Sequence, residues 1–199
     1  MIIKIYSNNP DPRRIGQVVE ILRNDGVIIY PTDSVYAFGC SLTSSKAIER
    51  ILAIRGKKSE ELTVACADLS QIASCTRVDN ETFRVLKRNL PGPFTFILGA
   101  GSKMPAKALE KRKTIGVRIP GHSVSQQIIK ELGNPMITAS VKNAEEEYTT
   151  DPELIEELYG KLVDAVIDGG YGQRIPTALV DLSGDEVQVL REGKVGVVL

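Results

Sequence analysis

Several short segments put hydroxyl, cationic and glycine residues at the ends of apolar runs, where side chains can converge on a ligand. PTDSVY (Pro31–Tyr36) offers two hydroxyls, a carboxylate and a phenol directly after such a run. IRGKK (Ile54–Lys58) closes a helical pattern with three cations, Arg55, Lys57 and Lys58. These either complement the helix dipole or clamp an anion. GVRIP (Gly116–Pro120) sets Arg118 inside an otherwise apolar run. A buried guanidinium needs a counter-charge, so Arg118 predicts either a structural ion pair or a carboxylate or phosphate ligand. TASVKN (Thr138–Asn143) leaves a strand end with hydroxyls, an ammonium and an amide. IDGGYGQRIPTALVD (Ile167–Asp181) has three glycines ahead of Pro176 and Thr177, which let backbone approach a ligand closely. REG (Arg191–Gly193) adds a late arginine. Each segment is weak alone. Together they describe a concave polyanion site, with neither a nucleophile nor a metal cage.

Other chemistries drop out by subtraction. His122 is the only histidine, which excludes a histidine-rich metal centre, and no G-x-S-x-G elbow accompanies it. Its place just before a helix suggests a loop or substrate-edge residue. There is no Walker A sequence and no GxGxxG fingerprint. Cys40, Cys66 and Cys75 are odd in number and match no zinc spacing, so they read as reduced, buried thiols. Lys plus Arg and Asp plus Glu each total 25, which excludes a histone-like basic binder. Charge is nevertheless segregated. Residues 84–118 hold nine basic residues against one acid, and residues 140–170 hold nine acids against two lysines. Either a solvated surface or one phosphate-attracting face follows from that. With 42% hydrophobic and 25% charged residues, the composition is globular. No apolar run is long enough to span a bilayer, and the first residues lack a secretory leader pattern, so a cytoplasmic protein without a membrane partner is expected.

The elements that must carry these residues alternate along the chain. A strand is expected at 2–6 and, after the punctuation of Pro10, Asp11 and Pro12, a helix to about Asn24, with Ile15, Val18, Val19 and Leu22 on one face. Val27–Tyr30 reads as a buried strand and Ser45–Ile54 as a helix. A strand at Leu62–Ala67 and a helix at 79–89 follow. Strands at Phe94–Leu98 and Ile115–Ile119 come next, then a helix opened by a Ser123/Gln126 capping box and stopped at Gly133. Met136–Ser140 is a strand. Asp151, Pro152 and Glu153 open a helix to about Tyr159, and strands near 164–167, 178–182 and 187–190 end the pattern. Residues 143–150 read as a hydrophilic stretch, either a plain surface loop or a mobile lid. This order predicts one α/β domain over 1–199, its core about 12–191, built on a mixed sheet.

The segments, in this order and spacing, resemble the YrdC-like family of threonylcarbamoyl-AMP synthases, from about residue 12 to Arg191. PTDSVY, PGPFT (Pro91–Thr95), GVRIP, the TAS run, DGG…PT…VD and REG carry the resemblance. PTDSVYAFGC, LTVAC, FTFILGAG and KRKTIGVRIP are similar to the YciO branch of that family. The resemblance implies a twisted mixed sheet flanked by helices with a positively charged cavity. It implies a nucleotidyltransferase reaction in which L-threonine, bicarbonate and ATP, with Mg²⁺ carried on the ATP, give threonylcarbamoyl-AMP and pyrophosphate for N6-threonylcarbamoyladenosine at tRNA position 37. No covalent catalyst or protein-held metal is implied. Thr32, Tyr36, Arg118 and Ser140 would bind substrate, Arg118 through the threonine carboxylate. Arg55, Lys57, Ser140, Asn143, Thr177 and Arg191 would bind the nucleotide. The chain departs from the pattern on the nucleotide side: R-G-K replaces the K-x-R clamp, Lys58 replaces a proline, Asn143 falls one place beyond S-x-N, and LTVAC lacks a histidine. The alternative is a YciO-type paralogue that binds double-stranded RNA, tRNA or a nucleotide, with residues 84–118 as its footprint. Another acylphosphate or carbamoyl chemistry on the same fold is a further possibility.

Overall fold

The computed structural model describes residues 1–56, 62–109 and 111–199. Lys57 therefore lies outside the described residues. The described chain runs β1 (Ile2–Lys4), α1 (Pro12–Arg23), β2 (Ile28–Tyr30), β3 (Ala37–Ser41), α2 (Ser45–Ile54), β4 (Thr63–Ala65), α3 (Leu69–Cys75), α4 (Asn80–Asn89) and β5 (Phe94–Gly99). It continues α5 (Ala106–Leu109), β6 (Thr114–Arg118), α6 (Ser123–Leu132), β7 (Met136–Ser140), α7 (Glu147–Thr150), α8 (Pro152–Tyr159), β8 (Ala165–Asp168), β9 (Ala178–Asp181) and β10 (Gln188–Arg191). These strands form one twisted sheet in the order β1-β8-β2-β3-β7-β4-β6-β5-β9-β10. The pairs β1/β8, β8/β2, β4/β6 and β5/β9 are parallel and the others antiparallel, so the sheet is mixed, as expected. No helix among the described residues is long and apolar enough to cross a membrane.

Local chemistry sets the helix ends. Asp11 caps α1 by accepting from the Arg13 N–H at 2.9 Å, with Pro12 in the first turn. Asp151 does the same for α8 through the Glu153 N–H at 2.9 Å. The capping box expected for α6 does not form. His122 is the N-cap without a side-chain cap bond, the Ser123 hydroxyl donates to Ser7 O, and the Gln126 amide reaches back to Pro120 O. Tertiary partners outbid the local pair there.

Strand β3 does not stand out in the sequence because Ala37-Phe38-Gly39-Cys40-Ser41 has no polar alternation. It lies mid-sheet between β2 and β7 with every residue buried. Helix α3 is only seven residues long and polar on its outer face, so its period is faint. Residues 143–150 are not all loop. The last four form α7, where the Thr149 and Thr150 hydroxyls donate to Glu146 O.

Two apolar clusters sandwich the sheet. One sets α1 and α6 against Ile28, Tyr30, Ala65, Met136 and Ile167. The other gathers Ile29, Phe38, Val64, Phe96, Val117 and Ile137 with residues of α2, α3, α4 and α8. Successive strand residues point to opposite faces, which is how Met136 and Ile137 come to belong to different cores.

Candidate functional site

The same alternation builds the site. On β7, Thr138 and Ser140 share the face of Met136 but lie beyond the helix-covered part of the sheet, and they line a cavity of about 380 Å³. Thr63 of β4, Thr95 and Ile97 of β5, and Thr114, Gly116 and Arg118 of β6 complete its floor, each on alternate positions of its strand. Register sets them side by side: Gly116 pairs with Thr63 and with Ile97, and Thr63 pairs with Thr138. A Cβ at Gly116 would sit 2.8 Å from Thr63 Cγ2 and 3.0 Å from Thr95 Cγ2, so glycine keeps the floor open.

Five cationic side chains line the cavity among the described residues: Arg55, Arg112, Arg118, Lys142 and Arg191, and no carboxylate is among the described lining residues. Arg55 is the C-cap of α2. Arg191 enters from β10, where a bulge between Val189 and Arg191 breaks the register with β9. Its Nε donates to Thr177 O at 2.9 Å and its Nη2 to Thr177 Oγ1 at 3.4 Å. The Thr177 hydroxyl bonds in turn to the Thr95 hydroxyl at 2.8 Å, tying three strands' edges into one hydroxyl–guanidinium wall. Lys142 has its pKa lowered, first by burial and then by repulsion from Arg55 and Arg191. Burial also lowers Arg55 and Arg191.

Arg118 also lines the cavity and has a counter-charge of its own. It is buried, its Nη1 donates to Ser34 Oγ at 3.2 Å, and its Nη2 is ion-paired with Asp33. Asp33 also accepts from the Gly121 N–H at 2.7 Å. Arg118 Nε is buried without a hydrogen-bond partner among the described residues. The cavity therefore holds an arginine paired with Asp33 and four further cationic side chains, Arg55, Arg112, Lys142 and Arg191.

Arg55, Arg118, Ser140, Thr177 and Arg191 thus converge, as their motifs suggested. Thr32, Tyr36 and Asn143 are not among the lining residues. The buried Thr32 hydroxyl donates to Val35 O at 2.9 Å and accepts from the Ser34 N–H at 3.0 Å, shaping the turn that presents Asp33 and Ser34 to Arg118. The fully buried Tyr36 donates its hydroxyl to Gly170 O at 2.7 Å and accepts from the Gly169 N–H at 3.2 Å, pinning the glycine loop. Burial drives its pKa well above the ordinary phenol value. Asn143 accepts from the Glu145 N–H at 3.0 Å. Sequence reasoning missed Thr63, Thr114 and Arg112 as lining residues, and it gave no role to Thr95, Thr138 and Lys142, which lie in the PGPFT and TASVKN segments it singled out. A usable signal was present: hydroxyls at period two in strands whose alternate residues are large and apolar.

His122 lies near Asp33 and Gly169, with its pKa lowered chiefly by burial and its Nδ1 unpartnered among the described residues. Cys40, Cys66 and Cys75 are free and buried, as their number suggested. Among the described residues, no cluster of three or more His, Cys, Asp or Glu could hold a metal ion.

The uncharacterized protein YciO of Escherichia coli (strain K12) is 44% identical over 192 residues, covering 95% of this chain and 93% of its own. The crystal structure of E. coli YciO superimposes with a TM-score of 0.91 at 43% identity, covering 98% of this chain and 96% of that one. A threonylcarbamoyl-AMP synthase of Vibrio vulnificus (strain YJ016) is 28% identical over 90% of this chain and 98% of its own. P. abyssi Sua5, solved in complex with L-threonine, shares the fold with a TM-score of 0.89 at 22% identity, and this chain spans 57% of its length. Residues 20–193 match the model of the Sua5, YciO and YrdC proteins, described as telomere recombination, and the chain belongs to that family.

Proposed function

We propose that the protein is an L-threonylcarbamoyladenylate synthase. Threonine carboxylated on its amino nitrogen attacks the α-phosphorus of ATP through a carbamate oxygen. An O–P bond forms to that phosphorus, the α,β-bridging P–O bond breaks, and pyrophosphate leaves. Neither a protein nucleophile nor a protein-held metal is required, because the substrate supplies the attacking group and Mg²⁺ arrives on ATP. The protein's work is positioning and charge neutralisation.

The single observation that carries this reading is one cavity that gathers Arg118, already paired with Asp33, with Arg55, Lys142 and Arg191 over a floor of hydroxyls. Arg55, Lys142 and Arg191 suit the β- and γ-phosphates, with arginine forks supplying paired donors. Arg118 suits a zwitterionic amino acid, whose carboxylate meets a guanidinium already oriented by Asp33 and Ser34. Kinship with a synthase across most of the chain supports the chemistry.

The test is pyrophosphate release from ATP, Mg²⁺ and bicarbonate, with and without L-threonine, together with mass spectrometry of the adenylate. Threonine-dependent pyrophosphate with the adduct mass is expected, and Arg191→Ala is expected to lower the rate at least tenfold. No release by folded protein, beside an active synthase control, sinks the proposal.

The exposed cations of α4 favour a second reading, duplex RNA binding. Arg84, Lys87 and Arg88 are exposed at helical spacing on one side of that helix.

A further inference from the structure

Arg191 reaches the cavity through a local irregularity of its strand. In an unbroken ladder, Val189 opposite Val180 would set Leu190 opposite Leu179 and Arg191 opposite Ala178, a residue of the apolar core. The bulge between Val189 and Arg191 pairs Arg191 with Leu179 instead. Leu179 pairs on its other side with Thr95 of β5, so Thr95, Leu179 and Arg191 form a row across β5, β9 and β10 on the cavity face.

Thr177 joins the two ends of that row. Its carbonyl accepts from Arg191 Nε at 2.9 Å, its hydroxyl accepts from Nη2 at 3.4 Å, and the same hydroxyl bonds to Thr95 Oγ1 at 2.8 Å. Thr95 and Thr177 are both buried, so this link is shielded from water and each hydroxyl depends on the other. With one edge of the guanidinium held by Thr177, its other fork, Nη1 and the second Nη2 hydrogen, stays available to take two phosphate oxygens side by side.

We propose that Thr95 is a positioning residue: acting through Thr177, its hydroxyl fixes the rotamer in which Arg191 meets a phosphate of the nucleotide. The inference rests on the reading of the cavity as a nucleotide site and adds to it a residue that acts through another. An arginine held in advance gives up its rotamer freedom on folding, whereas an unheld one gives it up on binding and weakens the nucleotide's hold. Thr95 therefore governs the ATP side of the reaction and leaves the threonine side alone.

A double-mutant cycle on the intact protein tests this, read both in pyrophosphate release and in calorimetric titration with ATP and Mg²⁺. Thr95→Val keeps the shape and loses the hydroxyl. It is expected to raise the KM and Kd for ATP roughly fivefold, the size of one hydrogen bond, with the KM for L-threonine unchanged. Thr95→Ser keeps the hydroxyl and is expected to stay within about twofold of wild type. Thr177→Val cuts the same link from the other side and is expected to match Thr95→Val; wild-type melting temperatures show which variants are folded. In an Arg191→Ala background, Thr95→Val is expected to change nothing further. An equal loss in both backgrounds shows that Thr95 acts without Arg191, which overturns the inference and leaves the nucleotide reading standing. So does a Thr95→Ser variant as impaired as Thr95→Val, or a KM for L-threonine that rises with that for ATP. Wild type that binds ATP without releasing pyrophosphate removes the synthase reading, and the calorimetric cycle still decides the role of Thr95. Folded wild type that neither binds ATP nor releases pyrophosphate removes both.

Discussion

Arg118 is where a residue type forecast a partner without naming it. Its side chain is 6% exposed and its counter-charge is Asp33, which is 17% exposed, so the pair is largely withdrawn from water. A buried ion pair adds little over a well-packed apolar substitute, but removing one member strands the other at a cost of about 3–5 kcal/mol. Asp33→Ala is therefore expected to lower the urea unfolding free energy by about 3 kcal/mol, with Asp33→Asn costing less because an acceptor remains for the guanidinium and for Gly121. Equal stability of Asp33→Ala and wild type would show that Arg118 finds another counter-charge. Thr32 and Tyr36 teach the complementary lesson. Their hydroxyls suit substrate contact by type, and in the fold they bond Val35, Ser34 and the glycine loop, so replacing them also disturbs Asp33, Ser34 and Gly170.

Among elements, the floor strands do two jobs at once. Large apolar residues on one face of β5, β6 and β7 hold the core, which leaves the other face free to carry Thr95, Thr114, Gly116, Thr138 and Ser140 to the ligand. Gly116→Val is expected to push its branches against Thr63 and Thr95, fill the cavity floor and weaken ATP binding more than tenfold. The overpacking itself costs about 1–3 kcal/mol, measurable separately by urea unfolding. Wild-type affinity in that variant would place the ligand away from the floor. Most of these strands were legible as apolar runs punctuated by proline and glycine. Strand β3 was not, because small residues in a sheet centre satisfy burial on both faces without any period. The α6 cap was misread for another reason: Ser123 and Gln126 have the right spacing, but Ser7 and Pro120 lie within reach only once the chain is folded.

At the scale of the whole molecule, folding divides the basic stretch that looked continuous. Arg112 and Arg118 turn into the cavity, Lys107 pairs with Glu49 and Arg88 donates to Leu199 O, while Arg84, Lys87, Lys103, Lys111 and Lys113 remain exposed. The RNA reading therefore predicts a small footprint. If Arg84 and Lys87 each neutralise a phosphate of a duplex, replacing both by Ala is expected to reduce the salt slope of binding by about 0.9 for each phosphate left without its cation. A duplex that is not retained at low salt, or a slope that the double variant leaves unchanged, counts against it.

The sequence by itself determined the order of elements, the mixed α/β class and a chemistry of cations and hydroxyls instead of a histidine-based metal or hydrolase centre, because composition, period and motif are local properties of the chain. Only the tertiary structure decided which cations share a wall, that Arg118 is answered by Asp33, and that Lys142 rather than Asn143 faces the cavity. Those outcomes depend on strand register, on which face an alternating side chain occupies, and on partners more than eighty residues away in the chain, none of which a local pattern encodes.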